Sequence, residues 1–101
     1  MKKVLLLGKL GGNLPTAGEL TRKNIELFGG STLDDARSVF EMNDRKIDIV
    51  IMGGGLDLED RLKIVEYIFK TSEVTTVHMK DRATGPEGFL SFVDGVLNGL
   101  V

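Results

Sequence analysis

Two stretches of the chain, Lys3-Val4-Leu5-Leu6-Leu7 and Ile47-Asp48-Ile49-Val50-Ile51-Met52, are almost unbroken runs of apolar side chains that stop at glycine. A strand with one wet face alternates polar and apolar residues, whereas a continuous run has no wet face at all. Both segments therefore need cover above and below. In one chain of 101 residues that demand is met by a parallel sheet with helices on both sides.

The intervening sequence supplies the other elements. Thr16-Ala17-Gly18-Glu19 has capping-box spacing behind Pro15 and predicts a short helix over 16–24, although its apolar stripe (Ala17, Leu20) is thin. Ile25-Glu26-Leu27-Phe28 reads as a second strand ending at Gly29-Gly30. Ser31 or Thr32 caps a helix carrying Leu33, Ala36, Val39, Phe40 and Met42 at spacings of three and four. After Met52, Asp57 caps a helix to about Thr71 that turns Leu62, Val65 and Phe69 inward. A fourth strand spans Val74 to Met79, and Gly85-Pro86 opens a last helix with the most regular stripe in the chain (Phe89, Leu90, Phe92, Val93, Val96, Leu97, Leu100). The expected architecture is a single three-layer α/β/α domain whose four parallel strands run in the order 2-1-3-4. The right-handed crossover rule puts the first connection on one face and the next two on the other, and brings the last helix back beside the first.

Composition excludes several classes of function. No cysteine is present, which removes disulfides, thiolate nucleophiles and the usual structural zinc sites. A net charge of −2 argues against a general nucleic-acid binder. The apolar run near the start is broken by Gly8-Lys9 after four residues, too early for a signal peptide. No stretch approaches the roughly 20 apolar residues that span a bilayer. A cytoplasmic location without membrane contact is expected.

In open α/β sheets, ligands sit beyond the carboxyl ends of the strands, beside the point where strand order reverses. Here that point lies between strands 1 and 3, flanked by Gly8-Lys9-Leu10-Gly11-Gly12-Asn13 and Gly53-Gly54-Gly55. Gly8, Lys9, Gly11, Gly12, Asn13, Gly53, Gly54 and Gly55 are thus the candidate ligand-binding residues. Neither loop has the spacing of a dinucleotide fingerprint or a P-loop, but glycine-rich turns still offer backbone N–H groups to a small anion. The second loop runs into Asp57, Glu59 and Asp60, which repel a phosphate. That leaves the loop with Lys9 as the better anion site. His78 is a lone histidine near the end of strand 4 with no nucleophile or spaced ligand beside it, so the sequence assigns no catalytic residue, metal or cofactor. The helix over 57–71 also carries Ile64, Tyr67 and Ile68. More apolar circumference than one buried face needs points to a protein partner or self-association through these three.

Residues 25–55, IELFGGSTLDDARSVFEMNDRKIDIVIMGGG, resemble the second strand, second helix and third strand of a response-regulator receiver domain, a flavodoxin-like fold. The Asp48-Ile49-Val50-Ile51-Met52 run matches that family's third strand, and its phosphoacceptor aspartate falls on Gly53. The acidic pair that binds magnesium after strand 1 is replaced by Gly8-Lys9, and Met79-Lys80 stand near the usual Ser/Thr. The chain is also shorter than a receiver by about one β/α unit. A second resemblance, to phosphotransferase-system IIB domains, fits length and strand number but lacks the phosphoryl-carrying cysteine. What both imply is a receiver-like fold with a vacated acceptor at Gly53, hence a non-catalytic regulatory or interaction module. The alternative is a small anion- or nucleotide-binding domain using the loops after strands 1 and 3.

Overall fold

The computed structural model describes residues 1–9, 12, 14–84 and 87–100, with the side chain of residue 100 outside the description. Four strands, β1 (Lys2–Leu7), β2 (Ile25–Gly30), β3 (Ile49–Met52) and β4 (Thr76–Met79), form one sheet in the order β2-β1-β3-β4, every pair parallel. The helices are α1 (Leu33–Met42), α2 (Leu58–Thr71) and α3 (Phe89–Leu100). The central strands bury both faces: Leu5, Leu7, Val50 and Met52 meet α1 and α2, while Val4, Leu6, Ile49 and Ile51 meet α3. This is the α/β/α architecture that the unbroken apolar runs demand.

Capping chemistry sets the helix starts. The Thr32 hydroxyl accepts from the Asp35 N–H at 3.1 Å, and the Asp35 carboxylate accepts from the N–H groups of Ser31 and Thr32. Asp57 accepts from the Asp60 N–H at 2.9 Å. Phe40, fully buried, meets the Tyr67 ring edge-on at 5.8 Å and ties α1 to α2.

Three expectations are corrected. The helix over 16–24 is a single 3-10 turn, Ala17–Glu19. The Thr16 N–H does bond the Glu19 carboxylate at 2.9 Å, but two apolar residues give no face to bury, and the chain turns extended at Leu20 so that this side chain enters the core. The last two strands are also shorter than predicted: β3 starts at Ile49 although Ile47 is buried, and Val74 precedes β4 and is exposed. The predicted Gly85-Pro86 opening of the last helix lies outside the described residues, and α3 starts at Phe89 with Phe89, Val93 and Leu97 buried.

The third correction concerns α2. Ile64 and Ile68, proposed above as a partner surface, are fully buried against the sheet, and Tyr67 is half-buried against α1. Leu62 and Phe69, expected inside, are mostly exposed. The helix offers two apolar stripes, and its roll is decided by a residue that belongs to neither: Arg61, on the inward face, binds backbone carbonyls below it.

Candidate functional site

The carboxyl edge of the sheet is built by backbone hydrogen bonds that continue the ladder into the loops. The Gly8 N–H donates to Gly30 O, Gly53 N–H to Leu7 O at 2.8 Å, and Lys80 N–H to Met52 O at 2.9 Å. Lys9 turns back so that its carbonyl accepts from the Gly12 N–H at 2.9 Å. Gly11 and Asn13 lie outside the described residues.

The glycines here serve close approach. A methyl group added at Gly55 would stand 2.7 Å from the Lys9 β-carbon, so the predicted loops do meet, stem against backbone. One added at Gly8 would stand 2.6 Å from a Leu14 methyl. At Gly53, the position that the sequence resemblance matches to a receiver's acceptor, an added β-carbon would lie 3.5 Å from both the Leu7 carbonyl and the Phe89 ring. An aromatic ring at the start of α3 therefore borders this position.

Arg61 occupies the other side of this loop. It is 5% exposed, with Nη2 donating to Gly53 O at 2.7 Å and Nε to Leu56 O at 3.2 Å. Burial, with the nearby Arg82 charge, lowers its pKa from the ordinary arginine value, and Asp81 opposes that shift. The guanidinium fork thus supplies a donor to the carbonyls at the two ends of the turn, Gly53 and Leu56. Lys80 is also buried; its ammonium group bonds the Thr84 hydroxyl and lies 3.5 Å from Asp81. The Thr84 N–H and hydroxyl bond the exposed Asp81 carboxylate and hold it below the usual carboxylate range. Sequence reasoning missed Arg61, and placed Lys80 at the carboxyl edge without its burial. The available signal was an arginine four residues after the Asp57 cap, in register with Ile64 and Ile68, just after a run of glycines.

His78 is half-buried in β4, with its Nε2 3.1 Å from the Thr76 hydroxyl. Among the described residues no three His, Cys, Asp or Glu side chains converge on a metal position. A groove of about 230 Å³ between α1 and α2 is lined by Arg37, Tyr67, Lys63, Lys70 and Glu66. Its cations are engaged: Lys63 pairs with Glu59 at 3.2 Å, Lys70 with Glu66 at 2.9 Å, and Arg37 stacks on the Tyr67 ring.

The strongest unpartnered feature lies at the β4 side. Of the seven large apolar side chains exposed among the described residues, five (Leu58, Leu62, Phe69, Val74 and Met79) belong to α2, β4 or their connection. At 100° per residue, Leu58, Leu62, Val65 and Phe69 share one flank of α2, opposite the flank on which Tyr67 meets α1. β4 is an edge strand whose outer side has no neighbour in the sheet. The chain matches no family model, no curated protein and no solved structure. Among the described residues no helix is long and apolar enough to cross a membrane.

Proposed function

We propose that this chain is a cytoplasmic, non-catalytic regulatory or protein-interaction module on a receiver-like fold without a phosphoacceptor, and that it meets its partner through α2 and the β4 edge. The observation that carries this reading is the concentration of exposed large apolar side chains, Leu58, Leu62, Phe69, Val74 and Met79, on α2, β4 and their connection. Exposed apolar surface concentrated in this way marks contact sites in soluble proteins. The edge strand beside it offers backbone donors and acceptors to the same partner. The reading needs no cofactor.

The test is a photoreactive benzoylphenylalanine placed at position 62 or, as control, at exposed position 34 on α1, in the cells that make the protein. A discrete crosslinked product at 62 and none at 34 is expected. No product at 62 refutes the reading.

A second reading, a small anion- or nucleotide-binding domain at the carboxyl edge, is favoured by one observation: the buried cations Arg61 and Lys80 stand at the ends of β3 and β4. It predicts that phosphate or a nucleotide raises the melting temperature in proportion to the logarithm of its concentration, and that Lys9→Ala abolishes the rise.

A further inference from the structure

We infer that the occupant of the α2–β4 face is a second copy of this chain, paired about a two-fold axis so that β4 meets β4 antiparallel and the two sheets become one of eight strands. The inference rests on the interaction reading above and names its partner.

Two observations select a second copy. The first is the strand edge. Thr76 N–H donates to Asp48 O and Lys80 N–H to Met52 O, so by the alternation of a parallel ladder Val77 and Met79 direct their backbone groups outward. The segment from Val74 to Met79 contains no proline, lysine or carboxylate, three of the devices that blunt an exposed edge, although β4 itself is only four residues long. The outer strand at the other side, β2, contributes none of the large exposed apolar side chains and presents Glu26 instead.

The second is area. Leu58 and Leu62 are each 57% exposed, Phe69 61%, Val74 74% and Met79 47%. Together these amount to about 600 Å² per copy, so pairing with itself buries about 1,200 Å², the lower end of specific, stable interfaces.

The two-fold symmetry brings Leu58 toward Phe69 of the second copy, sets the Leu62–Val65 segments together at the centre and opposes the two helix dipoles. A face that pairs with itself in this way fits an isologous contact.

The chain has no cysteine, so single cysteines report cleanly. Each residue from 74 to 79 is changed to cysteine in turn, oxidised, and run beside sedimentation velocity of the cysteine-free protein from micromolar to millimolar concentration. The expected results are a species of twice the 11.0-kDa chain mass and a disulfide yield that peaks at one position within 76–79 and falls on both sides, because an antiparallel two-fold pairing has one axis. Leu62→Lys, at an exposed position, is expected to weaken the dimer at least 100-fold with unchanged circular dichroism, and Asp34→Lys to leave it intact. A monomer at millimolar concentration, or a dimer with a flat cysteine profile, overturns the inference. The crosslink at position 62 then separates the two ideas: a product of unlike mass overturns the second copy and keeps the interaction reading, whereas no product removes both.

Discussion

Arg61→Met is the substitution that most sharply probes the site. Methionine matches the arginine stem in length and replaces its charge with apolar volume, so the inward face of α2 stays filled. What is lost is the pair of donors to Gly53 O and Leu56 O at 2.7 and 3.2 Å. A hydrogen bond from a charged donor is worth about 1.5–3 kcal/mol, and a buried acceptor left unpaired costs about 1–3 kcal/mol. Relief from burying a guanidinium works the other way. The net expectation is a loss of about 2–4 kcal/mol, because both carbonyls stay behind when the charge leaves. For a domain of this length that corresponds to a fall of roughly 10–25 °C in melting temperature. Urea and thermal unfolding of Arg61→Met, Arg61→Lys and Lys63→Met measure it. Lysine is a point donor and recovers less than half of the loss. Lys63→Met removes only an exposed pair and stays within about 0.5 kcal/mol of the parent. If Arg61→Met is as stable as the parent or more so, Arg61 is not the staple of the glycine loop; a phosphate-induced stabilisation that vanished in the same variant would assign it to anion binding.

Other positions give further checks. Gly53→Asp puts its β-carbon against the Phe89 ring and drives a carboxylate into a buried site, so a loss of about 2–4 kcal/mol without magnesium affinity is expected. Calorimetric magnesium binding by the triple variant Gly53→Asp with Gly8→Asp and Lys9→Asp would contradict the placement of that ring. Phe40→Ala removes a fully buried ring that joins α1 to α2 and should cost about 3–5 kcal/mol in urea titrations. The Ser31 N–H, with Thr32, holds the Asp35 carboxyl below its ordinary value. Its stabilising contribution is therefore complete above the unfolded-state pKa of about 4 and is lost as pH falls through the lower folded-state value. The melting-temperature gap between the parent and Asp35→Asn should be constant from pH 7 to pH 5 and close below pH 4; a gap that widened in acid would refute the assignment.

The sheet was legible because the evidence for it is one-dimensional. Apolar runs without alternation at 3–7 and 47–52 admit only a doubly covered strand, and the caps at Thr32 and Asp57 are local chemistry. The roll of α2 was not legible. Leu62-Val65-Phe69 and Ile64-Ile68 are stripes of similar quality, and the choice between them rests on Arg61 reaching carbonyls eight and five residues earlier in the chain, at Gly53 and Leu56. A charged residue among inward positions reads as an interruption until its partners are known. The burial of Lys80 was equally illegible, because Thr84 and Asp81, which its ammonium meets, come from the loop after β4. The sequence placed the loops at Lys9 and Gly55 on either side of the point where strand order reverses; the contact between them is a lysine stem packed on glycine backbone. The wide apolar circumference of α2 leaves Leu58, Leu62 and Phe69 exposed, whereas Ile64 and Ile68, chosen from the sequence as a partner surface, face the core.

The central claim is that the working surface is the α2–β4 side and not the carboxyl edge. Residue-resolved amide spectra of isotope-labelled protein test it most directly, recorded dilute in buffer and again in a concentrated extract of the cells that make it. The account predicts that the resonances of Leu58, Leu62, Phe69 and Val74 to Met79 shift or broaden while those of Lys9, Gly12 and Gly53 to Leu56 hold still. Movement confined to Lys9, Gly12 and Gly53 to Leu56, with the α2 and β4 signals unchanged, would contradict it and return the function to the glycine loops.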